Sequence, residues 1–143
     1  MNAKDFFHQV KIAERELKLL NAQISHFRDL GLSITGGGMD SPVVSHSRGS
    51  SRVETAAMGI FDSTQKLEQQ VKEYTSVIAK AQRVVSMIPQ DKFRQILTLH
   101  YLAGWSFRSI SDELKYNDPK SVYKAHKYAL DEAQIVLDKE KNQ

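Results

Sequence analysis

Two long apolar seams restrict this chain more than any other feature. Phe6, Val10, Ala13, Leu17, Leu20, Ile24 and Phe27 alternate steps of four and three residues. Ile60, Thr64, Leu67, Val71, Tyr74, Ile78, Ala81, Val85 and Ile88 do the same. That alternation lays side chains along one stripe of an α-helix; a strand, whose faces alternate with period two, has no use for it. Lys11, Glu14, Arg15, Glu16 and Lys18 fill the outward positions of the first seam. Two such helices in succession are expected to fold back as an antiparallel hairpin, and pairing with a second copy of the chain satisfies the same pattern. The second seam is longer, which leaves one of its ends to meet whatever follows.

Local punctuation bounds these helices. The first is expected to run from Lys4 to Leu30 and to end at Gly31 as a left-handed cap. Residues 31–51 hold most of the glycines and many serines, and are read as a flexible Gly/Ser-rich loop. Its Gly36-Gly37-Gly38 run is no phosphate-binding loop, because no Gly-Lys-Ser/Thr follows. Asp40, Ser45 and His46 are not read as a hydrolytic set, since a mobile loop cannot hold nucleophile and base in register. Arg48 and Arg52 offer the weaker reading of a basic arm on a phosphate backbone. Ser51-Arg52-Val53-Glu54 has the spacing of a capping box and is expected to open the second helix, which continues to about Met87.

Pro89 is expected to end that helix and start another, with Phe93, Ile96, Leu97, Tyr101 and Leu102 as its core face. Trp105 is expected to plug the point where the small C-terminal helices meet. Ser106 then offers an N-cap, and Phe107, Ile110 and Leu114 recur on one helical face while Arg108, Ser109, Asp112 and Glu113 stay wet. Asn117 and Asp118 carry turn chemistry, and Pro119 disfavours a helical residue before it while fitting the first position of a new helix. In that last helix Val122, Ala125, Ala129 and Leu130 face inward, and Lys120, Ser121, Tyr123, Lys124 and Lys127 face outward. The outward set spans roughly 11 Å of axis, short enough to enter one segment of major groove. This is the outline of a helix-turn-helix, with Arg108 of its first helix added to the DNA-facing set. His8, His26, His100 and His126 are read as polar members of their helices and not as metal ligands.

Composition narrows the functions. There is no Cys, which excludes disulfides, thiolate catalysis and zinc-thiolate sites and fits a reducing compartment. No run approaches the roughly 20 apolar residues of a membrane span, and Met1-Asn2-Ala3-Lys4-Asp5 lacks the core of a secretory signal. The expectation is a soluble, cytoplasmic protein with no membrane partner. A net charge of +3 is mild, so nucleic-acid binding has to rest on clustering. Between Lys115 and Tyr128 four Lys stand against one Asp, whereas Asp131 to Gln143 has four acids against two Lys.

The ordered run Phe93-Arg94-Gln95-Ile96-Leu97-Thr98-Leu99-His100-Tyr101-Leu102-Ala103-Gly104-Trp105-Ser106, followed by Ile110 to Leu114 and Val122 to Leu130, resembles the promoter-reading C-terminal domain of sigma factors. With the long helices before it, the chain is similar to small phage-encoded transcriptional regulators of the ArpU and RinA type, found in phages and prophages of Gram-positive bacteria. The detailed match covers about residues 88 to 134. It departs from the pattern in a turn, Lys115 to Pro119, one residue longer than usual, and in Lys115 standing where a Gly is common. The resemblance implies phage late-gene control, directly or through host RNA polymerase, and assigns DNA contact to Lys120, Ser121, Tyr123, Lys124 and Lys127.

The expected fold is therefore all-α: a coiled helical hairpin over residues 1–87 and a sigma-like three-helix DNA-binding domain over 88–143. The expected function is a sequence-specific DNA-binding transcription regulator, with double-stranded DNA as partner, RNA polymerase as a further one, and oligomerisation through the heptad helices. A small terminase subunit that marks a phage genome for packaging, and a polymerase-gripping interaction module, are the alternatives. No enzyme activity and no cofactor are expected, since no pair of side chains forms an acid, base or nucleophile set.

Overall fold

The computed structural model describes residues 1–36 and 47–142, with the side chains of 34–36 and 47–51 outside the description. Every element among the described residues is helical: α1 (Ala3–Gly36), α2 (Ser47–Ser86), α3 (Asp91–Leu97), a π-helical turn (Thr98–Leu102), α4 (Phe107–Leu114) and α5 (Pro119–Lys141). The long helices α1 and α2 pack against each other as a hairpin, and among the described residues no helix is long and apolar enough to cross a membrane.

Both long helices overrun their expected bounds. Gly31 lies inside α1, which continues to Gly36, and α2 opens at Ser47, so the Ser51–Glu54 pattern is interior to it. Gly31 is not a left-handed cap, and neither signal was strong enough to set a helix boundary. An interior Gly costs a helix about 1 kcal/mol, and a capping box is worth about the same. Of the expected loop 31–51, its two ends are thus helical. Residues 37–46, with Asp40, Ser45 and His46, lie outside the described residues.

Contacts divide the chain into two compact units, residues 1–15 with 74–143 and residues 16–73. This differs from the expected division at 87/88, and the larger core shows why. Phe6, Phe7 and Val10 from the start of α1, Ala81, Val84 and Val85 from the end of α2, and Ile88 just after it form one buried cluster with Leu97, Tyr101, Ala129, Ala133 and Val136. Phe7 is fully buried, its ring 4.9 Å from that of Tyr101. The Ala3 N–H donates to Gln134 Oε1 at 2.6 Å, and Asn2 caps α1 by accepting from Asp5 N at 2.8 Å. Both ends of the hairpin therefore serve the C-terminal helices, not the end of the longer helix alone.

In the unit of residues 16–73, Leu20 and Ile24 are buried, and Arg28 pairs with Glu68 at 3.3 Å. Phe27 and Ile60 line an apolar groove beside Gly31, with Phe61 61% exposed at its edge.

A second cluster in the first unit builds the small helices. Ile96, Ile110, Val122 and Ala125 are buried together, with Phe93, Phe107, Leu114 and Tyr116 packed around them. Ser106 caps α4 by accepting from Ser109 N at 3.1 Å, as its position after Gly104-Trp105 suggested. Lys115 ends α4 at φ 61°, ψ 43°, and among the described residues it is the non-glycine with positive φ. The turn closes with Tyr116 N donating to Ser111 O at 2.9 Å, and the buried Ser111 hydroxyl donates to Tyr116 O at 3.3 Å. A left-handed residue strains any side chain bearing a Cβ, whereas Gly takes it freely. Lys115→Gly is therefore expected to raise stability by about 1 kcal/mol, seen as a higher urea midpoint at unchanged m-value.

Trp105 does not plug the core. It is 36% exposed and stands at the rim of a cleft of about 590 Å³ with Val85, Leu99, Leu102 and Leu114 in its lining. Local backbone geometry puts it there: the π turn is followed by Gly104 at φ 77°, and Trp105 N donates to Leu99 O at 2.8 Å. The point where the helices meet is filled instead by Ile96, Ile110 and Val122.

Candidate nucleic-acid interface

Helix α5 is held by its inner face and free on its outer one. Asp118 Oδ1 accepts from Ser121 N at 2.8 Å and from Ser121 Oγ at 2.9 Å, and Pro119 occupies the first turn. These bonds, with Lys120 and Lys124 nearby, hold the Asp118 carboxyl below the usual carboxylate range. Val122, Ala125, His126 and Ala129 are buried beneath. Lys120, Lys124 and Lys127 are exposed, and Tyr123 is 46% exposed. Ser121 is half-buried and its hydroxyl is committed to Asp118, so of the outward set it has least to offer a ligand. Arg108 is exposed in the first turn of α4.

Two of these side chains brace each other. Lys127 Nζ lies 4.9 Å from the centroid of the Tyr123 ring, a cation–π contact that orients both. The inner edge of Tyr123 joins a ring cluster, 5.7 Å from Phe107 at 73° and 6.0 Å from His126. A side chain with one face packed and one edge wet is a stiff contact for a groove, because little rotamer freedom is left to lose on binding.

His126, expected as a polar member of its helix, is buried, 7% exposed, on the same inner stripe as Val122 and Ala129. Its Nε2 shares a 2.6 Å hydrogen bond with Tyr101 Oη, while its Nδ1 is buried without a partner. His100 stacks on Phe107 at 4.3 Å and donates from Nδ1 to Trp105 O at 2.8 Å. Burial pushes the Tyr101 phenol up to about 12. Burial, then the charges of His100 and Lys11, pushes His126 down to about 4.

An acid-labile anchor for α5 follows. The unfolded chain takes up a proton at His126 near the ordinary value of about 6.5, whereas the folded chain resists until about 4. This contribution to stability is full above about 6.5 and is lost as pH falls toward 4. The expected loss is on the order of 2 kcal/mol across that range, from about 1.4 kcal/mol per unit of pH in which the unfolded chain alone holds the proton. Urea unfolding of wild type and His126→Gln from pH 7.5 to 4.5 checks it: the wild-type curve should fall more steeply, and parallel curves would contradict the assignment.

No family model, no curated protein and no solved structure matches this chain, so the geometry of α4, its turn and α5 is the ground on which its function is read.

Proposed function

We propose that this chain binds duplex DNA sequence-specifically, with α4, the Lys115–Asp118 turn and α5 as its helix-turn-helix, and that it acts as a transcription regulator. The observation that carries this reading is the outer face of α5. Lys120, Tyr123, Lys124 and Lys127 emerge within two turns from a helix whose inner face is buried. The major groove is about 12 Å wide and accepts such a helix, with lysines at phosphates and guanine edges and the phenol at base edges or sugar. Few cations are involved, so a lone chain should bind weakly, with log K falling against log salt by a slope of roughly one for each phosphate neutralised. The resemblance to sigma-like domains and to phage regulators of the ArpU and RinA type supports transcription control, with phage late genes as the target class. The test is selection of bound fragments from a genomic library at physiological salt. Enrichment of one short site upstream of a promoter supports the reading, and retention no better than that of competitor DNA overturns it.

A second reading, a module that grips RNA polymerase, is favoured by Trp105 standing at the rim of its apolar cleft, since exposed aromatics beside such surfaces mark protein contacts. The two separate on Lys124→Glu, which removes DNA retention in the first and leaves the partner complex intact in the second.

A further inference from the structure

A second cationic feature lies beside the turn, and its two lysines, Lys92 and Lys115, were not among the residues expected to touch DNA. Lys92, Gln95, Lys115, Tyr116, Asn117 and Ser121 line a pocket of about 410 Å³. None of its lining residues is acidic. Of the carboxylates near it in sequence, Asp91 takes Arg94 at 3.1 Å and the lining Gln95 at 3.3 Å, Asp118 takes the lining Ser121, and Glu113 lines the separate cleft beside Trp105. Among the described residues neither Lys92 nor Lys115 has a carboxylate partner.

Both lysines stand where local physics disfavours them. Lys115 holds a left-handed conformation that Gly would adopt without strain. Lys92 lies in the first turn of α3, the positive end of that helix, and its amine is held 4.9 Å from the centroid of the Tyr116 ring. The ring face orients that charge without cancelling it. Two unfavourable choices converging on one acid-free concavity point to a use for the positive charge there, since chains tolerate such local conflicts mainly where function requires them.

We propose that this pocket receives a phosphate group of the DNA backbone, with Lys92 and Lys115 as its cationic ligands and the Asn117 amide as a neutral donor. The assignment rests on the reading of α5 as the groove-entering helix. The pocket opens at the start of α5, and in that docking mode the turn before the helix meets the phosphates flanking the groove. The pocket thus sets the position of the protein on the duplex, while Tyr123, Lys124 and Lys127 read the bases.

The experiment measures affinity for the selected duplex against salt for wild type, Lys92→Ala, Lys115→Gly and the double variant. Each removed amine should make the slope of log K against log salt shallower by roughly one and weaken binding about tenfold near 0.1 M salt, equally for matched and mismatched duplexes. Lys115→Gly is the informative variant, because it should be more resistant to urea while binding DNA less well, so unfolding cannot account for the loss. If the double variant keeps the wild-type slope and affinity while Lys124→Glu loses the duplex, the pocket assignment is overturned and the reading of α5 stands. A parallel arm titrates pyrophosphate and follows the amide resonances of residues 115–117 and 121. Should wild type retain no duplex but bind pyrophosphate here, and the double variant not, the DNA source is overturned in favour of a free phosphate ester. Binding of neither overturns both.

Discussion

Lys124→Glu is expected to abolish site-specific retention of duplex DNA in a gel shift while circular dichroism and thermal unfolding stay near wild type. The side chain is exposed on α5, one turn beyond Lys120, and its inward neighbours Val122 and Ala125 carry the packing. Reversal removes one attraction to the phosphates and adds a repulsion at the same place. Like charges brought together at an interface cost several kcal/mol, so a loss on the order of 3 kcal/mol, roughly a hundredfold in affinity, is expected. An exposed substitution of this kind changes folding stability by about 0.5 kcal/mol or less. Unchanged retention would remove α5 from the DNA interface.

The second large effect concerns folding. Phe7→Ala is expected to destabilise the chain by about 3–5 kcal/mol, the range for deleting a fully buried aromatic ring. Phe7 has no exposed surface and packs on Tyr101, whose hydroxyl bonds His126 beneath α5. A fragment starting at Ile88, where the sequence alone divides the chain, should accordingly lack a cooperative unfolding transition. It would expose the faces of Leu97, Tyr101, Ala129 and Ala133 that Phe6, Phe7, Val10, Val84 and Val85 cover. Adding back residues 1–15 and 74–87 within the full chain restores those partners. A sharp, native-like transition in the 88–143 fragment would show that the core is divisible after all.

These two results act on different links of the same chain of cause. Phe7 and Tyr101 fix the platform; Val122, Ala125 and His126 seat α5 on it; Lys124 and its neighbours then stand clear of the protein at positions the platform determines. Changes at Lys124 should read out as binding, and changes at Phe7 as stability with binding lost in proportion to the unfolded fraction.

Much of this was legible in the residues themselves. The heptad alternation identified α1 and α2, Ser106 and Asp118-Pro119 placed the starts of α4 and α5, and the inward set Val122, Ala125, Ala129 separated the outward lysines from the core. Lys115 was marked as standing where Gly is common, and its backbone is left-handed. In each case the deciding partners lie within about four residues, the reach of a helical turn or a cap, so the sequence carries the whole interaction. What tertiary structure alone decided involves partners far apart along the chain. Ala3 meets Gln134, Phe7 meets Tyr101, and Tyr101 meets His126 across 25 positions. Those meetings placed both hairpin ends against the C-terminal helices and buried His126. Periodicity states which side of a helix is apolar, but which other helix covers that side depends on a fit among surfaces that no local pattern contains.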